Sequence, residues 1–237
     1  MPSPGMSVIR WAIYSYYKVG VDLVPDWFSE RRRMVDTQLR RRGIGDERVL
    51  AAMLEIPREE FVPLESRLVA YQDAPIHIGE GQTISQPYMT ALMAEALELR
   101  GTESVLEVGA DCGYAAAVLG ALAARVITLE ILPRLAQQAR DNLRRTGRDG
   151  NVQVVAGDGS GGYRVAAPYD AISVAAGAPE IPAALVEQLN DPGILVIPVG
   201  AMDDQELRVL TQREGRVDCR VPTLCRFVPL RGGEGWR

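Results

Sequence analysis

Apolar residues follow two different rhythms along the chain. Up to about residue 99 they recur every three or four positions, the spacing of one helical face. Met34, Val35 and Leu39 form such a stripe in the basic segment 30–42, and Gly43 suits its C-terminal stop. Asp46 suits the N-cap of a second helix carrying Val49, Leu50, Met53 and Leu54, which Pro57 ends. A short helix can follow Pro63. Met89, Leu92, Met93, Ala96 and Leu97 predict a further helix over 88–99, stopped at Gly101. The stretch before it, 71–88 (YQDAPIHIGEGQTISQPY), is dense in small, polar and turn-forming residues and reads as a loop.

From residue 104 the pattern changes to short continuous apolar runs. Strands are expected at 104–108, 125–129, 152–155, 170–174 and 194–198, with helices at 114–124, from Pro133 through Leu143, and at 182–189. Such alternation predicts an α/β fold with a mostly parallel sheet covered by helices on both faces. Past Leu207 the runs 207–210 and 226–230 have no helix between them. They predict a terminal hairpin-like element, at least partly antiparallel, and residues 232–237 a frayed tail.

The N-terminal stretch 8–28 is aromatic and fairly apolar, but Arg10, Lys18 and Asp22 interrupt it and Pro25 would break a helix near its end. It lacks the uninterrupted apolar core of a signal peptide or membrane span. A helix docked on the domain or on a partner chain is expected, ahead of an interfacial membrane helix. The 237 residues carry a net charge of -5, so no basic field favours nucleic acid. The arginine clusters at 31–33 and 40–42 then read as a solvated helix face. Three cysteines and one histidine make neither a disulfide framework nor metal-ligand spacing. Reduced cysteines, a cytoplasmic location and no metal are expected.

Candidate chemistry gathers at the C-terminal ends of the strands, where open α/β sheets bind ligands. Gly109 and Gly113 bracket a turn that opens a helix, allowing close backbone approach and free N–H groups. Glu130 ends the second strand, where a carboxylate can accept both ribose hydroxyls. Asp158, between Gly157 and Gly159, could receive an adenine amino group. One such feature after each of three successive strands points to a nucleoside cofactor. The turn lacks both G-x-G-x-x-G and a Walker lysine, which disfavours dinucleotide and P-loop readings.

The sequence Glu107-Val108-Gly109 to Gly113, then Glu130, then Gly157-Asp158-Gly159, resembles the class I S-adenosylmethionine-dependent methyltransferases. The segment Gly79-x-Gly81-Gln82-Thr83-Ile84-Ser85-Gln86-Pro87-Tyr88 narrows the match to the protein-L-isoaspartate O-methyltransferase family. Pro57-Arg58-Glu59-x-Phe61-Val62-Pro63, Ala178-Pro179-Glu180-Ile181-Pro182 and Phe227-Val228-Pro229-Leu230 are similar to that family in the same order. The resemblance implies a Rossmann-like seven-stranded fold with an added N-terminal helical region. It implies methyl transfer from S-adenosyl-L-methionine to the free α-carboxylate of L-isoaspartyl residues in damaged proteins or peptides. Ser85 carries over as the active-site serine. Glu107, Gly109, Gly113, Glu130, Asp158 and Gly159 carry over to the cofactor. Ile76, His77 and Ile78, with Ala178 and Pro179, are expected at the substrate. The partners are then isoaspartyl proteins or peptides, with neither nucleic acid nor membrane.

Three residues depart from the family pattern. Asp111 stands where the turn has its middle glycine, Cys112 replaces a hydroxyl residue, and His77 replaces a proline. Asp111 would hinder close cofactor approach if its position demands φ > 0, a conformation that Asp tolerates better than most residues but at a cost. Two alternatives follow: a carboxyl methyltransferase for a dedicated peptide, and a degenerate binding protein with impaired cofactor affinity. The expected organisation is an aromatic extension over 1–29, a catalytic domain over 30–230 with its cofactor core at about 100–200, and a tail over 231–237.

Overall fold

A computed structural model describes residues 25–236. The expected helix within 8–28 therefore lies almost wholly outside the described residues. Helix α1 (Trp27–Met34) starts at Asp26, whose Oδ1 accepts the Ser29 N–H at 3.1 Å. It runs on through a wider π-helical turn, Val35–Leu39, and a tight 3-10 turn, Arg40–Arg42. Gly43 stops it at φ +96°, a left-handed conformation that costs glycine little. Helix α2 (Glu47–Glu55) is capped by Asp46, which accepts the Arg48 N–H at 2.8 Å. Residue 56, just before Pro57, is extended.

The loop expected at 71–88 instead contains a small hairpin, β1 (Ile76–Gly79) with β2 (Gln82–Ile84). Glu80 and Gly81 both have positive φ, as a two-residue type I′ connection requires. Ile76, Ile78 and Ile84 face the core and alternate with outward residues. Helix α3 (Pro87–Ala96) follows, with proline in its first turn.

The main sheet uses β3 (Ser104–Val108), β4 (Arg125–Glu130), β5 (Val152–Ala156), β6 (Tyr169–Val174), β7 (Leu189–Ala201), β8 (Asp204–Arg213) and β9 (Arg216–Cys225). Helix α4 (Tyr114–Leu122) links β3 to β4, α5 (Pro133–Arg145) links β4 to β5, and the short α6 (Ala183–Val186) precedes β7. The spatial order is β5-β4-β3-β6-β7-β8-β9, parallel through β7 and antiparallel beyond it. Strand order therefore reverses at β3, which lies between β4 and β6. Val108 pairs with Leu129 on one side and Val174 on the other. The loops after these three strands thus emerge at one level, beside the switch point where such sheets bind ligands.

Alternate strand residues feed two cores. Val105, Val126 and Val196 join the side chains of α2, α3 and α4 on one face. Leu106, Ile127, Ile172 and Leu195 pack on the other face with Leu185 of α6, Tyr169 and Leu230. Burying each such aliphatic side chain contributes about 1.5–3 kcal/mol. An exposed ion pair contributes about 0–1 kcal/mol. The sheet core, not the surface ion pairs, is what holds the strand ends in place.

Three boundaries differ from the sequence expectation. The helix expected at 182–189 shrinks to one turn because Leu189 already pairs with Tyr169 in the sheet. The partner of β8 is β9, not 226–230. Glu214 and Gly215 make the reversing turn, their N–H groups donating to Asp191 at 2.7 and 2.6 Å. Residues 226–230 instead cross over the strand ends, where Gly177 N–H donates to Val228 O and Leu230 N–H to Gly177 O, each at 2.8 Å. The expected frayed tail is docked: Trp236 donates its indole N–H to Gly177 O at 2.9 Å.

Candidate active site

The turn after β3 is drawn tight. Gly109 and Ala110 both donate their N–H groups to Leu129 O, at 2.8 and 3.0 Å. Gly109, Asp111 and Gly113 all have positive φ, +95°, +50° and +88°. A Cβ on Gly109 would come within 3.3 Å of the Ala175 Cβ, and one on Gly113 within 3.2 Å of Ala139 O. Asp111 thus adopts the left-handed conformation that its position demands, and the turn closes around it. Cys112 is fully buried, and burial raises its thiol to about 12, so it is an inert packing residue.

Glu130 clamps this turn. Its Oε2 accepts the Asp111 N–H at 2.9 Å and its Oε1 the Leu132 N–H at 3.0 Å. A carboxylate oxygen has two lone pairs, so each still has one to offer a ribose hydroxyl. Gly159 forms the floor: a Cβ there would meet Val108 Cγ1 at 2.8 Å. Gly109, Asp111, Glu130 and Gly159 line one cleft, together with Gln82 of β2 and Ala175 after β6. The segment from Val228 to Arg231 closes its far side.

Asp158 precedes Gly159 of the cleft but does not line it, and its oxygens are engaged. Oδ1 accepts the Ser160 N–H at 2.8 Å and the Ser160 hydroxyl at 2.7 Å. Oδ2 accepts the Gly233 N–H at 2.9 Å. Burial opposes the charge, but these three hydrogen bonds outweigh it and hold the carboxyl below the ordinary range. The Glu234 N–H donates to Ser160 Oγ at 3.0 Å. The tail is therefore strapped to the loop after β5, beside Gly159, with Arg231 alone of its residues lining the cleft.

Ser85 follows β2 and lines two further cavities. One is an open groove of about 680 Å³, bounded by Thr83, Gln86, Met89 and the crossing segment 225–229. The other is a narrow internal cavity that Ser85 shares with Thr90, Glu107 and Ser173. Ala175 lines the cleft, the groove and the internal cavity alike, so the three spaces converge on it. Arg58 holds Ser85 from behind. Fully buried, it donates from Nη2 to Ser85 O and from Nε to Ala70 O, both at 2.7 Å. Its guanidinium lies 4.9 Å from the Tyr114 ring centre.

Glu107 is buried beside Thr128, whose hydroxyl donates to it at 2.5 Å. Burial, moderated by that hydrogen bond and reinforced by Glu130, raises its carboxyl to about 8. Burial again, then Glu130 and Glu107, raise Asp111 well above the carboxylate range.

Not every expected residue faces these cavities. Ile76 and Ile78 point into the core and His77 points outward, while Pro75 and Thr83 line the groove. Ala178 is fully buried and bonded to β7, and Pro179 is exposed. Sequence reasoning missed Ala175, Gln82, Arg58 as the support of Ser85, and the strap 231–236. Gln82 and Arg58 lay within quoted motifs. Ala175 had no signal beyond following a strand.

This strand order, glycine turn and set of strand-end carboxylates define a class I S-adenosylmethionine-dependent methyltransferase. The lone pairs that Glu130 leaves free, and the one that Asp158 Oδ2 leaves free, fit the hydroxyl and amino donors of that cofactor. Residues 29–235 match the profile of the protein-L-isoaspartate(D-aspartate) O-methyltransferase family. The chain is 55% identical over 210 residues to the protein-L-isoaspartate O-methyltransferase of Methanoculleus marisnigri, covering 88% of this chain and 94% of that one. It is 54% identical over 208 residues to that of Marinobacter nauticus, covering 87% and 94%. A solved Plasmodium falciparum chain of the same designation, in complex with S-adenosyl-L-homocysteine, is 27% identical with a TM-score of 0.72, covering 85% of this chain and 98% of that one. The chain belongs to the protein-L-isoaspartate(D-aspartate) O-methyltransferase family.

Proposed function

We propose that the chain methylates the free α-carboxylate of L-isoaspartyl residues in damaged proteins and peptides. The observation that carries this reading is the convergence of cofactor cleft, open groove and internal cavity on Ala175, with Ser85 lining the groove and the internal cavity. Bound S-adenosylmethionine supplies a methyl group made electrophilic by the adjoining sulfonium. Glu130 receives the ribose hydroxyls and Asp158 the adenine amino group. Gly109 and Gly159 line the cleft beside the cofactor, and Gly113 lets α5 pack close against the turn. Glu107 backs the turn from the interior.

The acceptor needs no activation by the protein. A carboxyl with a reference pKa near 4 is already ionised at neutral pH. The work left to the chain is to hold an oxygen in line with the methyl carbon and to exclude water. Positioning of this kind contributes roughly 7–11 kcal/mol in favourable cases. The Ser85 hydroxyl donates to one acceptor oxygen, and Arg58 fixes the Ser85 backbone. The hairpin carrying Ile76, His77 and Ile78 meets the peptide through Pro75 and Thr83, which line the groove, while Ala178 and Pro179 stay outside it. Once formed, the ester closes spontaneously to a succinimide that reopens partly to normal aspartate, which makes the activity a repair. Residues 30–230 act as the catalytic domain, in the cytoplasm, with isoaspartyl proteins as partners.

The test is methylation of an isoaspartyl peptide beside its normal aspartyl twin. Strong preference for the isoaspartyl form is expected; equal rates would overturn the assignment.

A further inference from the structure

The turn after β3 carries one residue, Asp111, to which the reading above gives no role. Three carboxylates gather where β3 and β4 end: Glu107 in β3, Asp111 in the turn after it, and Glu130 at the end of β4. No ion pair among the described residues involves any of them. Arg231 lines the same cleft without pairing to them. Their surroundings differ. Both Glu130 oxygens accept backbone N–H groups. Glu107 accepts the Thr128 hydroxyl and faces the internal cavity. Asp111 lines the cofactor cleft, and its carboxylate has no hydrogen bond among the described residues. Its backbone N–H is spent on Glu130. Its left-handed conformation is one that glycine would adopt at less cost, so the carboxylate is held there against a backbone penalty.

An unpaired carboxylate in such a place destabilises the empty cleft, because burial and two like charges oppose its ionisation. A cation entering the cleft reverses that balance. S-adenosylmethionine carries an ammonium, a sulfonium and one carboxylate. The product S-adenosylhomocysteine carries the ammonium and the carboxylate but a neutral thioether. The two differ by one positive charge, at the atom nearest the transferred methyl.

We propose that Asp111 is a charge-reading residue of the cofactor site, its carboxylate facing the sulfonium so that the chain favours S-adenosylmethionine over S-adenosylhomocysteine. This rests on the methyltransferase reading above. It assigns the departure from glycine a purpose: the protein spends backbone strain on reduced product inhibition. Attraction acts on the donor and is lost when the methyl leaves.

The experiment is calorimetric binding to the full chain, wild type against Asp111→Asn and Asp111→Gly. The ligands are S-adenosylmethionine, S-adenosylhomocysteine and sinefungin, which replaces the sulfonium with a carbon bearing an amine. Asn keeps the shape and tolerates positive φ, and Gly removes the strain as well as the charge. The ratio of the two natural Kd values is expected to move about tenfold towards the product in both variants. Sinefungin should follow S-adenosylmethionine. An unchanged ratio in both variants, with the ligands still bound, overturns the proposal and leaves the methyltransferase reading intact. Binding of neither natural ligand by the wild type overturns both. Folding of each variant is read independently from its thermal unfolding, and either variant alone suffices.

Discussion

Replacing Glu107 with glutamine tests how burial sets charge at this site. The side chain is 1% exposed, and the Thr128 hydroxyl is its one described hydrogen-bond donor. Burial raises its carboxyl from 4.5 to about 8. Between those values the folded chain holds a proton that the unfolded chain has released. Stability therefore falls as pH rises through the interval, by up to about 1.4 kcal/mol per pH unit, and levels off above it. Across the whole interval this reaches about 5 kcal/mol, comparable with the entire stability of a modest domain at about 5–15 kcal/mol. Glutamine keeps the shape and an acceptor for Thr128 but cannot ionise. The assay is urea unfolding of wild type and Glu107→Gln, without cofactor, from pH 5 to 9. The two are expected to diverge by several kcal/mol towards alkaline pH, the variant being the more stable. Asp111 shifts in the same direction but is present in both proteins, so it cancels to first order. Asp158 and Glu103 are held low, so their contributions are lost only at more acid pH, outside the interval. Parallel profiles would refute the reasoning, because they would mean that Glu107 gains its charge at no cost in the folded protein.

Three further outcomes follow from the geometry. Ser85→Ala should lower kcat/KM for an isoaspartyl peptide by about 10–100-fold, the worth of one hydrogen bond to a charged group, while S-adenosylhomocysteine affinity by calorimetry stays within twofold. Arg58→Ala leaves the Ser85 and Ala70 carbonyls without their donors, and should cost on the order of 3 kcal/mol in urea unfolding. Arg58→Lys should recover only part of it, since an ammonium lacks the planar fork. Ending the chain at Leu230 removes the Gly233 and Glu234 donors and the Trp236 indole bond. Stopped-flow displacement should then show S-adenosylhomocysteine leaving about tenfold faster; an unchanged rate would mean that the strap does not cover the cofactor.

The parallel strands were readable because strands buried on both faces are continuous apolar runs: SVLEV at 104–108 matches β3 residue for residue. Caps were readable for a local reason, since Asp46 and Gly43 each satisfy or bend the backbone beside them. The β1–β2 hairpin was hidden because its strands have four and three residues and its turn uses Glu80, not a residue that favours positive φ. Strand β9 was hidden for a different reason. It is an edge strand, with Val217, Val221 and Leu224 exposed, so its apolar residues do not mark one buried face. Pro222 lies within it, which an edge tolerates. In the site, the positions of Glu130 and Asp158 were legible because each ends or closely follows a readable strand. The role of Arg58 was not, because it depends on two carbonyls 12 and 27 residues away.

The charges of the site form a consistent scheme once the acceptor is included. The acceptor is an anion, and it must approach a region already holding Glu107, Asp111 and Glu130. Among the described residues that line the groove, the one cation is Arg226, which is paired with Asp203 at 2.6 Å. Burial resolves the conflict for Glu107, which shares the internal cavity with Ser85 yet stays uncharged below about pH 8. It therefore does not repel the acceptor at neutral pH. Asp111 lies on the cleft side of Ala175 and lines neither the groove nor the internal cavity. Its charge is matched by the cationic donor rather than set against the acceptor. In the proposed function, the positive partner that draws the acceptor in is then the donor itself, and the Ser85 hydroxyl would be the neutral handle that sets direction. An arginine placed beside Ser85 would bind the acceptor more tightly but would also stabilise its charge before transfer. Such ground-state stabilisation lowers KM without raising kcat. A serine there, backed by a buried arginine that never touches the acceptor, avoids that penalty.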